Sequence, residues 1–257
     1  MDKFDIEHID GDYIICEVLD CKLGELRFIQ DVSKKQFKSM LHATKKRAKG
    51  IPVQKIFNKA YFYGLSFFVD KKVLCPRADS EILVETAIKT TKPKQKVLDL
   101  CTGSGALAIA LKTNTKVDVY ASDIDRHALK IAKKNSILND VDIKLIKSDL
   151  FSNIDTTFDL IVSNPPYIKT ADIIQLDKKV RCYDPIIALD GGKDGLFYYK
   201  KIIPLARKHL VTTGKLILEI GYDQAELVTK ILEENKYKNI KVIKDYGGND
   251  RVIYSEV

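Results

Sequence analysis

The chain has 257 residues, of which 45% are apolar and 30% are charged, a balance typical of globular proteins. This composition excludes a globally disordered chain, and no apolar run is long enough for a membrane-spanning helix. The 43 basic residues outnumber the 35 acidic ones, and the resulting net charge of +8 favours anionic partners.

The five cysteines form no pattern typical of disulfides or metal ligands. No Cys-x-x-Cys occurs, and no cysteine groups with the four histidines at metal-ligand spacing. The first residues lack the basic start and apolar stretch of a signal peptide. We therefore expect a cytoplasmic protein with reduced thiols and no bound metal.

Residues 1–55 predict a small helical domain. Apolar residues at helical spacing in 13–19 indicate one helix, and Ser33 is placed to cap a second. Residues 56–75 predict a connecting β-hairpin, because two runs rich in aromatic residues flank Gly64.

Residues 76–257 predict an α/β domain. Asp79 or Ser80 is expected to cap its first helix, over about 81–89. The predicted strands are 96–100, 117–122, 143–146, 158–162, 216–220, 240–244 and 251–254. Because strands alternate with helical segments, we expect a parallel, doubly wound sheet of seven strands.

A glycine-containing turn follows the first strand and opens a helix. The turn consists of Cys101, Thr102, Gly103, Ser104 and Gly105. Its glycines allow a tight turn and a close approach of the backbone to a ligand. Asp123 ends the next strand, about twenty residues on, where a carboxylate can bind a ribose diol. Asp149 ends the third strand, near the expected place of an adenine amino group.

The number and spacing of the glycines in this turn indicate which class of cofactor it binds. It reads Gly-x-Gly without the third glycine of dinucleotide-binding proteins, and no Walker lysine follows it. A pyrophosphate ligand is therefore disfavoured. A nucleoside that carries a sulfonium and a carboxylate instead fits better, and we predict S-adenosyl-L-methionine.

A rigid turn of Asn164, Pro165, Pro166 and Tyr167 ends the fourth strand at the same edge. The Asn164 side-chain oxygen and the proline carbonyls can accept hydrogen bonds from a planar –NH2 group, and Tyr167 offers a flat stacking face. The lone pair of such a nitrogen is delocalised, so holding both hydrogens directs it at a methyl group. We predict that the whole turn binds substrate and that Asn164, Pro165 and Tyr167 are catalytic.

The glycine turn and Asn-Pro-Pro-Tyr together resemble Rossmann-like methyltransferases that act on a planar amino group. Further segments are similar to the glutamine methyltransferases of peptide chain release factors, the HemK/PrmC family. They include Pro-Arg-Ala-Asp-Ser-Glu at 76–81, Tyr-Asp-Pro at 183–185 and Asp-Tyr-Gly-Gly-Asn-Asp-Arg at 245–251. The resemblance extends from about residue 10 to residue 257.

This resemblance implies methyl transfer from S-adenosyl-L-methionine to the side-chain amide nitrogen of the glutamine in a release factor's Gly-Gly-Gln motif, which modulates translation termination. It implies cofactor contacts from 101–105, Asp123 and Asn164, with Asp149 and Leu150 against the adenine. The turn at 164–167 would hold the glutamine amide, and the helical domain would help to dock the release factor.

The sequence departs from the family pattern at three places. Cys101 stands where glycine is common, and Ala78 replaces the second proline of Pro-Arg-Pro. The helical domain is also short by about one helix, a difference that affects the expected docking surface and not the cleft.

Two other functions were weighed. A DNA or RNA adenine methyltransferase would suit the net charge and Tyr167, but the segment 168–195 leaves no room for a base-reading domain. A non-catalytic module that binds a release factor or the ribosome would not need Asp123 and Asn164. We therefore expect a monomer whose partner is a release factor, without direct nucleic-acid or membrane binding.

Overall fold

The computed structural model describes residues 7–257. Its helices are α1 (His8–Leu19), α2 (Lys34–Ala48), α3 (Val53–Phe57), α4 (Glu81–Thr90), α5 (Ala106–Asn114), α6 (Arg126–Leu138), α7 (Lys178–Arg181), α8 (Phe197–Ala206) and α9 (Ala225–Glu234). Its strands are β1 (Lys59–Phe62), β2 (Leu65–Phe68), β3 (Lys96–Leu100), β4 (Asp118–Asp123), β5 (Lys144–Lys147), β6 (Phe158–Ser163), β7 (Leu210–Glu219), β8 (Lys238–Lys244) and β9 (Asp250–Glu256). No helix among these is long and apolar enough to cross a membrane.

A seven-stranded sheet in the order β5-β4-β3-β6-β7-β9-β8 forms the centre of the molecule. β9 runs antiparallel to both of its neighbours, whereas the other strand pairs are parallel. The predicted α/β class and strand number are confirmed. The expectation of a parallel sheet fails at β9, because a short turn without a crossover helix joins it to β8 and so reverses its direction. β3 lies between β4 and β6, so the strands that follow it in the chain are added first on one side of it and then on the other. The connections after β3 and β6 therefore diverge and leave a crevice at the carboxyl ends of these strands.

The central strands are apolar because both faces of the sheet are covered. On one face, side chains of β3 and β4 pack against α4, α5 and α6. On the other, β6 and β7 pack against α8 and α9. This burial fixes the strand ends, and therefore the residues that follow them, in a rigid scaffold.

The N-terminal helices have a small core of their own. Ile14, Ala43 and Val53 from the three helices are buried together. The Ser33 hydroxyl accepts a hydrogen bond from the Gln36 amide, so the predicted cap is confirmed.

The β1–β2 hairpin packs on the α/β part of the chain, because Phe62 and Phe67 are buried in the larger core. The boundaries at residues 55 and 75 stay predictions, and residues 1–6 of the expected helical domain lie outside the described residues.

Candidate active site

The carboxyl ends of β3, β4, β5 and β6 meet at one edge of the sheet and border a cleft. Loops on either side complete it. One wall comes from the segment after the hairpin, with Val73, Leu74, Pro76 and Arg77, and another from Pro185, Ile187, Ala188 and Tyr198. The cleft lies at the switch point of the strand order, where open α/β sheets bind ligands.

The side chain of Asp99 anchors the glycine turn between β3 and α5 by hydrogen bonds. Its Oδ2 accepts hydrogen bonds from the Thr102 hydroxyl at 2.6 Å and the Ala108 amide at 3.1 Å. Burial raises the pKa of Asp99 to about 7, and its Oδ1 has no hydrogen-bond partner among the described residues.

Three residues of this turn have left-handed backbone. Cys101, Gly103 and Gly105 have φ values of 62°, 56° and 82°. A side chain makes this conformation unfavourable, which explains why glycine suits the position of Cys101. A Cβ on Gly103 would meet no atom within 4 Å, whereas one on Gly105 would lie 3.0 Å from the Ala132 Cβ. Gly103 thus leaves open space at the cleft, and Gly105 permits α5 to pack closely on α6.

Asp123, the last residue of β4, faces this turn. Its Oδ2 accepts a hydrogen bond from the Gly103 amide at 2.8 Å, and its Oδ1 accepts one from the Asp125 amide at 2.9 Å. Burial raises the pKa of Asp123, against the lowering effect of these backbone donors. Each oxygen keeps a second lone pair, so the anchored carboxylate can still accept from a hydroxyl group.

The far end of the cleft combines a carboxylate with apolar surface. Asp149 and Leu150 follow β5 and line the cleft, as do Leu100, Leu107 and Tyr198. Flat apolar walls with one acceptor suit an adenine ring and its amino group.

These residues fit the predicted cofactor. Two carboxylates reach the cleft from neighbouring strand ends. Ser122 also lines the cleft, and its buried hydroxyl has no partner in the described chain. Carboxylates favour a cation and disfavour a pyrophosphate. These cleft residues therefore suit the ribose diol, the adenine and the sulfonium of S-adenosyl-L-methionine.

Asn164 lies directly after β6 and lines the cleft. Its Nδ2 donates a hydrogen bond to the Ser80 hydroxyl at 3.3 Å, which leaves Oδ1 without a partner among the described residues. Ser80 occupies the predicted N-cap position of α4, but its side chain makes no capping hydrogen bond. A short 3₁₀ turn, Ala78–Ser80, leads into the helix without a side-chain cap, so the Ser80 hydroxyl is free to face Asn164.

Tyr167 occupies the other end of the Asn-Pro-Pro-Tyr turn. Its hydroxyl donates a hydrogen bond to Glu219 Oε1 at 3.3 Å, and burial raises its pKa well above the ordinary range. The ring packs beside the core formed with β7 and α8 and does not border the cleft. Its stacking role stays a prediction.

The cleft gathers most of the predicted site residues. Those that line it are Cys101, Thr102, Gly103, Ser104, Asp123, Asp149, Leu150, Asn164 and Pro166. Gly105, Pro165 and Tyr167 lie behind this surface, and their proposed contacts with ligands stay predictions.

An ion cluster joins the outer walls of the cleft, with the side chains of Lys55 and Asp184 buried and that of Arg77 partly exposed. Asp184 lies 2.9 Å from the Lys55 ammonium and pairs with Arg77 at 2.5 Å. Lys55 also donates to the carbonyls of Asp70 and Val73, both at 2.7 Å. The cluster therefore ties α3, the segment after the hairpin and the 183–185 segment to one another.

Sequence reasoning missed Asp99, Glu219 and Lys55. The first two had a usable signal, because Asp99 interrupts the apolar run 97–100 and Glu219 interrupts the apolar run 216–220, and an unpaired buried charge is unfavourable. Lys55 had none, because its partner Asp184 is far away in the chain.

Comparison with known proteins agrees with this geometry. The family described as the methyltransferase small domain matches residues 77–179. A release factor glutamine methyltransferase of Fusobacterium nucleatum is 41% identical over 96% of this chain and 73% of its own length. That of Thermodesulfovibrio yellowstonii is 35% identical over 98% of this chain and 94% of its own.

A solved structure, the ribosomal protein L11 methylase of Lactobacillus delbrueckii, has 26% identity and a TM-score of 0.52, covering 70% of this chain and 78% of that one. The two release factor glutamine methyltransferases match the chain over nearly its whole length. The chain therefore belongs to the release factor glutamine methyltransferase family.

Proposed function

We propose that this chain transfers a methyl group from S-adenosyl-L-methionine to the side-chain amide nitrogen of the glutamine in the Gly-Gly-Gln motif of a peptide chain release factor. The observation that carries the proposal is the Asn164 amide at the cofactor cleft. Its NH2 group is engaged by Ser80 and its oxygen is left to accept a hydrogen bond.

The cofactor is S-adenosyl-L-methionine, which supplies a methyl group on a sulfonium. Asp123 would hold the ribose hydroxyls, because its carboxylate is fixed by two backbone amides. Asp149 and Leu150 would hold the adenine. The carboxylates also make the cleft electrostatically favourable for the positive sulfonium.

The substrate amide needs positioning more than it needs a base. Its lone pair is delocalised into the carbonyl, and the nitrogen becomes a nucleophile only as it becomes pyramidal. The nitrogen–methyl bond would form as the sulfur–methyl bond breaks, S-adenosylhomocysteine would leave, and the methylated nitrogen would release one proton to water. Asn164 Oδ1 would accept one amide hydrogen and the Pro165 carbonyl the other. Both bonds strengthen as positive charge develops on the nitrogen, so they stabilise the transition state more than the bound substrate.

A labelled-methyl assay tests this function. The purified enzyme is incubated with labelled cofactor and a purified release factor, and peptides are then mapped by mass spectrometry. We expect one added methyl group on the glutamine of the Gly-Gly-Gln motif and none on a factor in which that glutamine is changed. Label on duplex DNA or on RNA, with none on the factor, would instead support an adenine methyltransferase.

Two finer proposals concern partners. The helices α1–α3 would contribute to release-factor docking, because Lys55 of α3 joins them to the cleft wall. The enzyme would act as a monomer, since one chain supplies both the cofactor residues and the Asn-Pro-Pro-Tyr turn.

A further inference from the structure

A buried carboxylate lies behind the Asn-Pro-Pro-Tyr turn, and the reaction described above does not use it. Glu219 is the last residue of β7 and is only 2% exposed. Its Oε1 accepts the Tyr167 hydroxyl at 3.3 Å, and its Oε2 has no hydrogen-bond partner in the described chain. An incompletely bonded buried acid is unfavourable for stability, so another role has to account for it.

Ser80 lies beside both Glu219 and Asn164. Its hydroxyl is near enough to the Glu219 carboxylate to lower the pKa of that group, and it accepts a hydrogen bond from Asn164 Nδ2 at 3.3 Å. Among the described residues the Ser80 hydrogen has no acceptor and Glu219 Oε2 has no donor, so the two complement each other. A hydroxyl has a single hydrogen, so when that hydrogen points toward Glu219 the oxygen can only accept from Asn164. This arrangement selects one of the two orientations of the Asn164 amide, the one that keeps Oδ1 for a ligand.

The two family-specific segments at 76–81 and 245–251 meet around this carboxylate. Arg251 is the nearby cation, and it pairs with Asp245 at 3.0 Å and with Asp79 at 3.5 Å. Its charge offsets part of the cost of burying a carboxylate. Ser80 and Asp79 of the first segment and Arg251 of the second therefore surround the same carboxylate.

The charged and titratable groups facing Glu219 come from four elements. They are Asp79 before α4, Tyr167 after β6, Tyr199 of α8 and Arg251 of β9. Burial raises the pKa of Glu219 to about 7, against the lowering effects of the Ser80 hydroxyl, Arg251 and Tyr167.

We propose that Glu219 is a positioning residue that holds both ends of the Asn-Pro-Pro-Tyr turn. Through Ser80 it orients the Asn164 amide, and through the Tyr167 hydroxyl it fixes the tyrosine. This inference rests on the proposed function of Asn164. The ionised carboxylate is the effective form, because it only accepts hydrogen bonds and so forces Ser80 and Tyr167 to donate.

Glu219→Gln tests this role with little change of shape. A glutamine amide can donate to Ser80, which frees the serine hydrogen to point at Asn164 and favours the flipped amide. We expect kcat to fall about tenfold, the effect of one misplaced hydrogen bond, with an unchanged dissociation constant for S-adenosylhomocysteine. Ser80→Ala should show the same loss, and Ser80→Thr, which keeps the hydroxyl, should recover most of the activity.

The pH profile separates positioning from a purely structural effect. Protonated Glu219 and Gln are both neutral, so the ratio of wild-type to Glu219→Gln kcat should shrink as pH falls below about 7. Glu256→Gln is the matched control, because Glu256 also accepts from a tyrosine, Tyr254, but lies on β9 away from the cleft. It should keep the wild-type kcat.

Three outcomes would overturn the inference. The first is a wild-type kcat in both Glu219→Gln and Ser80→Ala when Asn164→Ala is impaired. That result would overturn the role of Glu219 but leave the proposed function intact. The second is a kcat ratio that stays constant across pH, because the loss would then come from structure alone. The third is a wild-type kcat in Asn164→Ala, which would overturn the proposed role of the turn as well.

Discussion

Replacing Asp123 by Asn should weaken cofactor binding strongly while leaving the fold intact. The amides of Gly103 and Asp125 donate to opposite oxygens of Asp123, at 2.8 and 2.9 Å. An asparagine offers one oxygen and sets its NH2 group against the other donor. The variant thus loses one turn bond and one acceptor for the ribose, a cost of about 1–3 kcal/mol, or about 5- to 150-fold in affinity.

Calorimetry with S-adenosylhomocysteine measures this effect directly. Asp118→Asn is a suitable control, because Asp118 is exposed at the opposite end of the same strand and lies away from the cleft. It should bind as the wild type does, and a thermal melt should show both variants folded. Equal dissociation constants for Asp123→Asn and wild type would refute the assignment of Asp123 to the ribose.

Three further predictions concern the glycine turn. Cys101→Gly should change the free energy of unfolding by less than about 1 kcal/mol in a denaturant titration, because the relief of left-handed strain is offset by added chain entropy; a larger loss would mean that the thiol itself is needed. Gly105→Ala should destabilise the fold by about 1–3 kcal/mol, since its Cβ would press on Ala132, and an unchanged melting temperature would contradict this. Asp99 keeps its proton to about pH 7 in the folded state, above its ordinary pKa of 3.8, so the wild type should lose stability as pH rises from about 4 to 7. Melting temperatures across that range should fall less in Asp99→Asn, and parallel curves would argue against a raised pKa.

Local patterns in the sequence predicted the sheet and the cleft. Strand–helix alternation from residue 96 implies parallel strands, whose carboxyl ends share one edge, and that brings the residues after β3, β4, β5 and β6 together. Asp123, Asp149 and Asn164 could be placed at one site for this reason alone. The Ser33 cap was equally readable, because it depends on residues three apart.

Contacts between distant segments could not be predicted in this way. Ser80 reads as a helix cap, yet its hydroxyl faces Asn164, and only the packing of α4 beside β7 and β9 shows why. Lys55 and Asp184 meet because a loop folds back over the cleft. Tyr167 reads as a stacking residue, but the buried acceptor on Glu219 draws its hydroxyl toward the core.

The central claim is that Asn164 holds the target amide during methyl transfer. It is tested most directly by the kcat of Asn164→Ala with a release factor and S-adenosyl-L-methionine, both at saturation. We expect a loss of about 100-fold or more with little change in the KM for the release factor, because the lost hydrogen bond matters most in the transition state. A near-wild-type kcat would contradict the claim, because the glutamine amide of the substrate would then not depend on Asn164 for its position.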